Sequence, residues 1–440
     1  MNIKKVFLVC SIFVLMTEIF AQIKQESKTT DSSENFKVRT LTIEDAVKLA
    51  KKNNISVKVA KNTLENLEIK NKYSWNSVSP TASVSGSFSD DLENDSSSLS
   101  ISGSVNLSLK TNLYSDIQGA KLNFEKGKLT YSEAVRAIEL SVRKSFYNLI
   151  YQQENLELQK QSLETSRTQY VSNQEKFRNG RISELDAFTS RVNYESKKPA
   201  VESAEITFQN DLSSFKQILG IEQNTEIELD GTLDKILEIK EISFESLPKV
   251  TDPAPDVKFA EYDVQIAKNS LLDSRFSAYS PSVTGSYSYG KSKNSELDDW
   301  STKNSLSVGV SVPLDGILPW STRAVNIKQN KTALDTAEKN LENAKTSVAV
   351  QTESYIRKIN LAVKQLDTLK ATEELAEQTY KMTLDAYNYG KTDLLSLQNA
   401  NDSVLSAGVN LKSQAYTLIS TILDLEDVLG IEFGTLELQK

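Results

Sequence analysis

The sequence predicts a mainly α-helical chain that contributes strands to a membrane β-barrel, built from two copies of one plan. The grounds are a seven-residue apolar repeat, long strands with serine on one face, and matching residues spaced 210 apart. The repeat is clearest between Ser115 and Phe177, where Val135, Val142, Leu149, Leu156, Leu163, Tyr170 and Phe177 fall in one row. Three places further on the residues are small or polar, as at Ser145, Gln152, Gln159, Ser166 and Asn173. Such a row keeps one narrow seam against a partner helix and imposes a left-handed supercoil. At about 1.5 Å per residue the helix runs roughly 95 Å, about three times the hydrocarbon core of a bilayer. It lacks the continuous apolar run of a membrane span, so it stands in water against other helices. It ends at Asn179-Gly180, a C-cap signal, and a second helical pattern starts at Ser183 and Leu185. The segment is a long helical hairpin with a tight tip.

Taken in order, the chain opens with Lys4 and Lys5, an apolar run from Val6 to Met16, and Ile19-Phe20-Ala21. This is the pattern of a secretory signal, and the expected cleavage is near Ala21. The one cysteine, Cys10, lies inside it, so the mature chain has no thiol for a disulfide, a metal or a nucleophile. Histidine is absent altogether, which removes the commonest general base and metal ligand. The formal charge of −8 becomes about −9 without the signal, and no basic patch invites nucleic acid.

A polar lead over 22–40 precedes Leu41-Thr42-Ile43-Glu44-Asp45, where Thr42 is placed to cap a helix and Asp45 to reach back. That helix is expected to run to about Trp75 and stop before Pro80. Beyond Pro80 the period becomes two. Leu99, Ile101, Gly103, Val105, Leu107 and Leu109 alternate with Ser98, Ser100, Ser102, Ser104, Asn106 and Ser108. The preceding strand alternates more weakly through Ala82, Val84, Gly86 and Phe88, and an acidic, serine-rich loop from Asp90 to Ser97 joins the two. Two strands of about ten residues, apolar on one face and small and polar on the other, have the signature of an outer-membrane barrel hairpin. The competing reading is the edge of a β-sandwich, but nothing nearby offers a second sheet to cover the apolar face.

The helical hairpin follows, its return carrying Leu185, Phe188, Val192, Phe208, Leu212, Phe215 and Leu219. Pro199 inside that return is expected to kink or break it. After a link with loop signals at Asp252-Pro253-Ala254-Pro255 the plan is repeated. A helix ends at Ser280-Pro281. Two strands follow, Val283 to Tyr289 and Leu306 to Val312 on their apolar faces, separated by a polar loop from Lys291 to Lys303. A helix then runs from about Ser321 to Asn388, turns at Tyr389-Gly390-Lys391, and returns to Leu429-Gly430. Tyr170 and Tyr380, Gly180 and Gly390, and Gly220 and Gly430 are all 210 apart, and Leu-Gly-Ile-Glu occurs at both 219–222 and 429–432. The expected divisions are a signal at 1–21, the lead at 22–40, a first repeat at 41–220, a link at 221–255, a second repeat at 256–430 and a tail at 431–440.

Four strands cannot close a barrel, and an open sheet edge is not tolerated in lipid. Three copies would supply twelve strands above a ring of helices, which makes a duct. The order helix, Pro, strand hairpin, long helical hairpin, Leu-Gly, given twice behind a signal, resembles the TolC-like outer-membrane efflux family (outer membrane factors). The likeness runs from Leu41 to Gly430. It is carried most specifically by Leu41–Val47, by the Ser-Pro before each strand hairpin, and by the tips Phe177-Arg178-Asn179-Gly180 and Tyr387-Asn388-Tyr389-Gly390. A further family feature, the apolar-Pro-apolar turn, is present as Val312-Pro313-Leu314; the first repeat has Leu109-Lys110-Thr111 instead.

The resemblance implies a homotrimer with a twelve-stranded outer-membrane β-barrel and a periplasmic α-helical barrel. It implies export of small molecules or proteins with a periplasmic adaptor (membrane fusion) protein and an inner-membrane pump of the RND or ABC type. By position, Tyr387 and Asp186 match residues that tie neighbouring tips together and close the periplasmic entrance. Gly180, Gly390, Lys391, Thr392 and Asp393 complete the two tips as gate and docking surface. Ser396 and Asn399 stand where the family often has acids, which weighs against a strongly cation-selective ring there; Asp393, Glu184 and Asp186 supply the nearby negative charge. Each of these residues also reads as an ordinary solvated tip polar. Trp300 and Trp320 suit membrane interfaces, with packing as their other explanation.

No catalytic residue, metal ligand or cofactor is expected, because the carboxylates sit at helical spacing among Lys and Gln, as solvated faces do. The rival class is a periplasmic coiled-coil structural or adaptor protein, which explains the helices and the duplication but not the strands.

Overall fold

The computed structural model describes residues 39–91, 96–239, 253–294 and 299–436. The expected signal and most of the lead, Cys10, much of the link, the end of the tail and the middle of both strand-hairpin loops lie outside the described residues. By compactness the chain forms one large unit, Thr40–Asn224 with Glu228–Lys440, and a small one to which Arg39 and Thr225–Ile227 belong.

Where one helix is expected up to Trp75, two stand: α1 (Ile43–Asn53) and α2 (Ile55–Lys72), followed by a 3-10 turn at Ser74–Val78. The break is the work of Asn54. Its side-chain oxygen accepts from the Ser56 N–H at 2.8 Å and caps α2, while its amide donates to the Ile218 carbonyl at 2.7 Å. Asparagine at an N-cap offsets an orphan donor that a continuous helix would not have. Thr42 caps α1 as expected, with Asp45 accepting its hydroxyl at 2.8 Å.

The strands of the two strand hairpins are β1 (Thr81–Asp91), β2 (Ser96–Lys110), β3 (Ser282–Asn294) and β4 (Ser301–Ser311). They form one antiparallel sheet in the order β1-β2-β3-β4, so the two repeats meet at β2 and β3, with Gly103 opposite Tyr289 and Val105 opposite Tyr287. The alternation read from the sequence fixes this register, because a slip of one residue would put every side chain on the wrong face. On the serine face hydroxyls pair across strands: Ser83 with Ser104 at 3.0 Å, Ser85 with Ser102 at 2.9 Å, and Ser286 with Ser307 at 2.6 Å. On the other face Val84, Phe88, Ile101, Leu306, Val308 and Val310 are exposed.

Four more helices complete the fold: α3 (Leu113–Arg178), α4 (Glu184–Leu219), α6 (Thr322–Asn388) and α7 (Leu394–Leu429), with α5 (Pro255–Tyr279) opening the second repeat. The duplication extends to length, 66 and 67 residues for the outgoing helices and 36 for each return. At about 1.5 Å per residue the outgoing helices span roughly 100 Å. Pro199 does not break α4. It sits on the exposed side, where water can take the carbonyl its ring leaves without a donor.

The core is at the waist, where α4 and α7 end beside the middle of α3 and α6. Val142, Phe146, Leu149 and Ile150 of α3 are buried with Phe215 and Leu219 of α4, the Phe146 and Phe215 rings 6.3 Å apart, and Ile359 and Leu366 of α6 are buried with Leu418, Ile419, Ile422 and Leu423 of α7. Below Leu156 the heptad row loses its cover: Leu163 and Tyr170 are half-buried and Phe177 is exposed. Ser166 and Asn173 of the small row take its place, buried between helices together with Ser162. Ser162 contacts Lys197 of α4 at 2.8 Å and Asn401 of α7 at 3.3 Å, and small side chains let three helices approach at one level.

Candidate functional site

The candidate site is the pair of tips furthest from the sheet. Each outgoing helix ends on a glycine in the left-handed region, Gly180 at φ 69° and Gly390 at φ 68°. Arg181 N–H reaches back to the Lys176 carbonyl and Lys391 N–H to that of Ala386, both at 2.8 Å. These six-to-one bonds need a positive φ, which costs an L residue roughly 1–2 kcal/mol and glycine almost nothing. A side chain at either glycine would meet nothing within 4 Å, so conformation and not space selects the residue.

The return helices are then capped by the same pair of groups in exchanged places. In the first tip Ser183 accepts from the Asp186 N–H at 3.1 Å and gives its hydroxyl to the Asp186 carboxylate at 2.7 Å. In the second Asp393 accepts from the Ser396 N–H at 2.8 Å. The Ser396 bonds hold the exposed Asp393 carboxyl below its ordinary pKa.

Near the tips Tyr387 joins the two hairpins. Its hydroxyl donates to Oδ1 of Asn173 at 3.0 Å, linking α6 to α3, and the same oxygen takes the Gln169 amide at 2.9 Å. Asn173 is fully buried, and its own amide nitrogen has no partner in the chain. The Lys176 ammonium lies 4.9 Å from the centre of the Tyr387 ring. Burial pushes the Tyr387 hydroxyl up from its usual pKa, and the Asp186 carboxylate adds a smaller push, so it stays a proton donor through the physiological range.

The expected residues therefore separate. Tyr387 and Asp186 come near enough to feel each other's charge, but Tyr387 bonds to Asn173 and Asp186 to Ser183. Lys391 reaches over the exposed Tyr389 ring at 5.9 Å, and Thr392 is half-buried beside it. Ser396 and Asn399 stay exposed, because Leu394, Leu397 and Ala400 are the buried face of α7.

Asn173, Gln169 and Lys176 are the residues that sequence reasoning did not assign to the site. The one available signal is Asn173 itself, a polar residue in the buried register of a helical seam. Further from the tip Lys197 of α4 bonds to Asp402 of α7 at 2.7 Å and to buried Ser162, a second polar tie between hairpins. Among the described residues no group of acids is placed to hold a metal ion, and no helix is long and apolar enough to cross a membrane.

Comparison with known proteins places this architecture. The profile of the family described as outer membrane efflux protein matches residues 62–221 and 249–430. No curated protein sequence matches the chain. Among solved structures, the Campylobacter jejuni CmeC outer membrane channel superposes with a TM-score of 0.72 at 18% identity, over 92% of this chain and 93% of that one. The open state of the Neisseria gonorrhoeae MtrE outer membrane channel gives 0.68 at 18% identity, over 92% and 96%. The outer membrane protein VceC of Vibrio cholerae gives 0.69 at 12% identity, over 89% and 96%. At such identities the likeness is one of fold.

Proposed function

Since the chain belongs to the outer membrane efflux protein family, and is a channel rather than an enzyme, we propose that it is the exit duct of a tripartite efflux or type I secretion system. It resides in the outer membrane and extends into the periplasm. Its fold is that of the trimeric channels that combine a β-barrel with a helical barrel. Small molecules or proteins pass through it, handed on by an inner-membrane pump of the RND or ABC type and a periplasmic adaptor.

The observation that carries this reading is the open four-stranded sheet set on helical hairpins roughly 100 Å long. Among the described residues β1 and β4 have free outer edges, which lipid does not allow. Edge-to-edge pairing of three copies closes twelve strands. The serine face then turns to the lumen, and the apolar face to lipid. The same symmetry sets three pairs of tips in a ring. We assign Tyr387 and Asp186, with Gly180, Gly390, Lys391, Thr392, Asp393, Ser396 and Asn399 around them, to the entrance and to the surface that meets the adaptor.

The test is the mass of the particle extracted from outer membranes in mild detergent. A trimer is expected. A monomer or dimer that stays soluble without detergent would overturn the duct and favour a periplasmic coiled-coil protein.

A further inference from the structure

The two strand-to-helix joints of the repeats are not alike. Between β2 and α3 only Thr111 and Asn112 intervene, and Thr111 is tied to the Pro281 carbonyl at 3.3 Å. Between β4 and α6 the chain takes ten residues, 312–321, and nearly all of the large ones are apolar. Val312, Leu314, Ile317, Leu318 and Trp320 are all exposed, Trp320 at 77%. So much apolar surface in one short segment calls for a specific cover.

Several of the segment's polar groups are met within the chain. Its one charged residue, Asp315, is neutralised by an ion pair with Arg323. Two of its residues, Pro313 and Pro319, have no N–H to satisfy. The Ile317 and Leu318 N–H groups bond to the carbonyls of Leu314 at 3.2 Å and Asp315 at 3.0 Å, closing a 3-10 turn. The carbonyls of Gly316, Leu318 and Pro319 take the Tyr279 hydroxyl, the Ser321 N–H and the Lys328 ammonium. Backbone groups left open here would cost several kcal/mol each in hydrocarbon.

The turn is also held in one orientation. Gly316 is buried against the end of α5, where a Cβ would lie 2.7 Å from the Ala278 carbonyl. With the small residue pressed inward, the large ones are left outside. Val312 and Leu314 have the same parity as Leu306, Val308 and Val310, so they prolong the apolar face of β4 beyond the sheet.

We propose that 312–320 is a membrane foot: each protomer sets Val312, Leu314, Ile317, Leu318 and Trp320 into the periplasmic leaflet of the outer membrane, at the level of the phospholipid headgroups. The continuity with the apolar face of β4 names the occupant, and Trp320 has the amphipathic ring that favours that depth. Arg323 and Lys328 follow on the first turns of α6 and serve the segment itself, Arg323 pairing with Asp315 and Lys328 with the Pro319 carbonyl. The foot belongs to the second repeat alone, so a trimer has three. It rests on the reading of the sheet as a lipid-embedded barrel.

The three tryptophans of the chain, Trp75, Trp300 and Trp320, make the test direct. Trp75→Phe with Trp300→Phe leaves Trp320 as the only emitter; Trp75→Phe with Trp320→Phe leaves Trp300, at the opposite end of β4. Both variants are purified as trimers and placed in phosphatidylethanolamine–phosphatidylglycerol vesicles carrying bromine at a shallow or a deep acyl position. Trp320 is expected to emit blue-shifted, to lose most of its intensity to shallow bromines and less to deep ones, and to resist aqueous acrylamide. Trp320 untouched by either bromine while Trp300 is quenched means that a neighbouring protomer covers the segment, which overturns the foot and leaves the barrel standing. If neither tryptophan is quenched, the embedded barrel fails and the foot with it.

Discussion

The waist and the tips of this molecule use the same helix-ending device and surround it in opposite ways. Gly180 and Gly390 end the outgoing helices at the tips, and Gly220 and Gly430 end the returns at the waist, all with φ between 68° and 71°. At the tips a side chain on the glycine would meet open space. At the waist one on Gly220 would lie 2.8 Å from the backbone of Asn53, and one on Gly430 2.7 Å from the Pro255 ring. The backbone demand is one thing and the packing demand another. The waist carries both, as a packed and ion-paired centre in which Arg136 holds Asp427 at 2.9 Å and Arg143 holds Glu139 at 2.9 Å. The tips carry only the first, which leaves their side chains free for contacts outside the chain.

The sharpest way to separate the two demands is alanine at matched glycines. Gly180→Ala is expected to cost about 1 kcal/mol, the left-handed penalty alone. Gly220→Ala adds the collision with Asn53 and is expected to cost about 3 kcal/mol in total. Thermal unfolding of the detergent-solubilised protein reads both, and equal losses would mean that the waist does not constrain its glycine. Asn54 sharpens the same contrast from the other partner. Asn54→Ala removes the cap of α2 and the donor to Ile218 at once, and should cost about 2 kcal/mol by the same measurement. If Asn54→Asp kept full stability, the bond to Ile218 would contribute nothing, because a carboxylate cannot donate to it.

Those residues also mark how far the sequence could be read. The change from helical to strand period, the spacing of 210, and the glycines closing the tips are local or repeated signals, and each survives folding because nothing distant overrides it. Asn54 is different. Asparagine is unremarkable after Asn53, and the break it makes depends on a carbonyl 164 residues away. Pro199 misleads in the opposite sense, since its cost depends on whether water reaches the freed carbonyl, and only burial tells that. Within the tips the glycines were legible as turn signals, whereas Asp186, Asp393 and Ser396 were read as gate and charge and stand as helix-capping groups. The bond from Tyr387 to Asn173 was not, because it spans 214 residues and its acceptor sits in a row that periodicity marks merely as polar.

That bond is the point where the tips can be tested as machinery. Tyr387→Phe keeps the ring under Lys176 and removes the donor to Asn173, leaving a buried oxygen with only Gln169. A lost hydrogen bond of about 1 kcal/mol shifts a closed-to-open balance about fivefold per protomer. Planar-bilayer recordings should show a higher mean conductance than the parent, with the folded trimer unchanged in mass. An unaltered conductance would remove Tyr387 from the entrance and leave it a packing residue.

The smallest effect separates one tip from the other. Both cap their return helix with a serine and an aspartate, but the acceptor of the first-turn N–H is the Ser183 hydroxyl in one and the Asp393 carboxylate in the other. A hydroxyl does not titrate in acid, and the Asp186 carboxylate that takes the Ser183 hydroxyl is not itself the acceptor of the first-turn N–H. The Asp393 carboxyl is held below the ordinary value by the Ser396 bonds, so the stability it lends is complete above that value, near 4, and fades as pH falls through the lowered folded one. Hydrogen exchange of the two first turns, corrected for intrinsic rates between pH 6 and pH 3, should therefore diverge. Protection at the Ser396 amide is expected to drop in acid while that at the Asp186 amide holds, and Asp393→Ser should abolish the difference. A parallel decline at both amides would show that the tips open together in acid, through contacts the two hairpins share, and that the exchange of serine for aspartate between the repeats has no consequence for their ends.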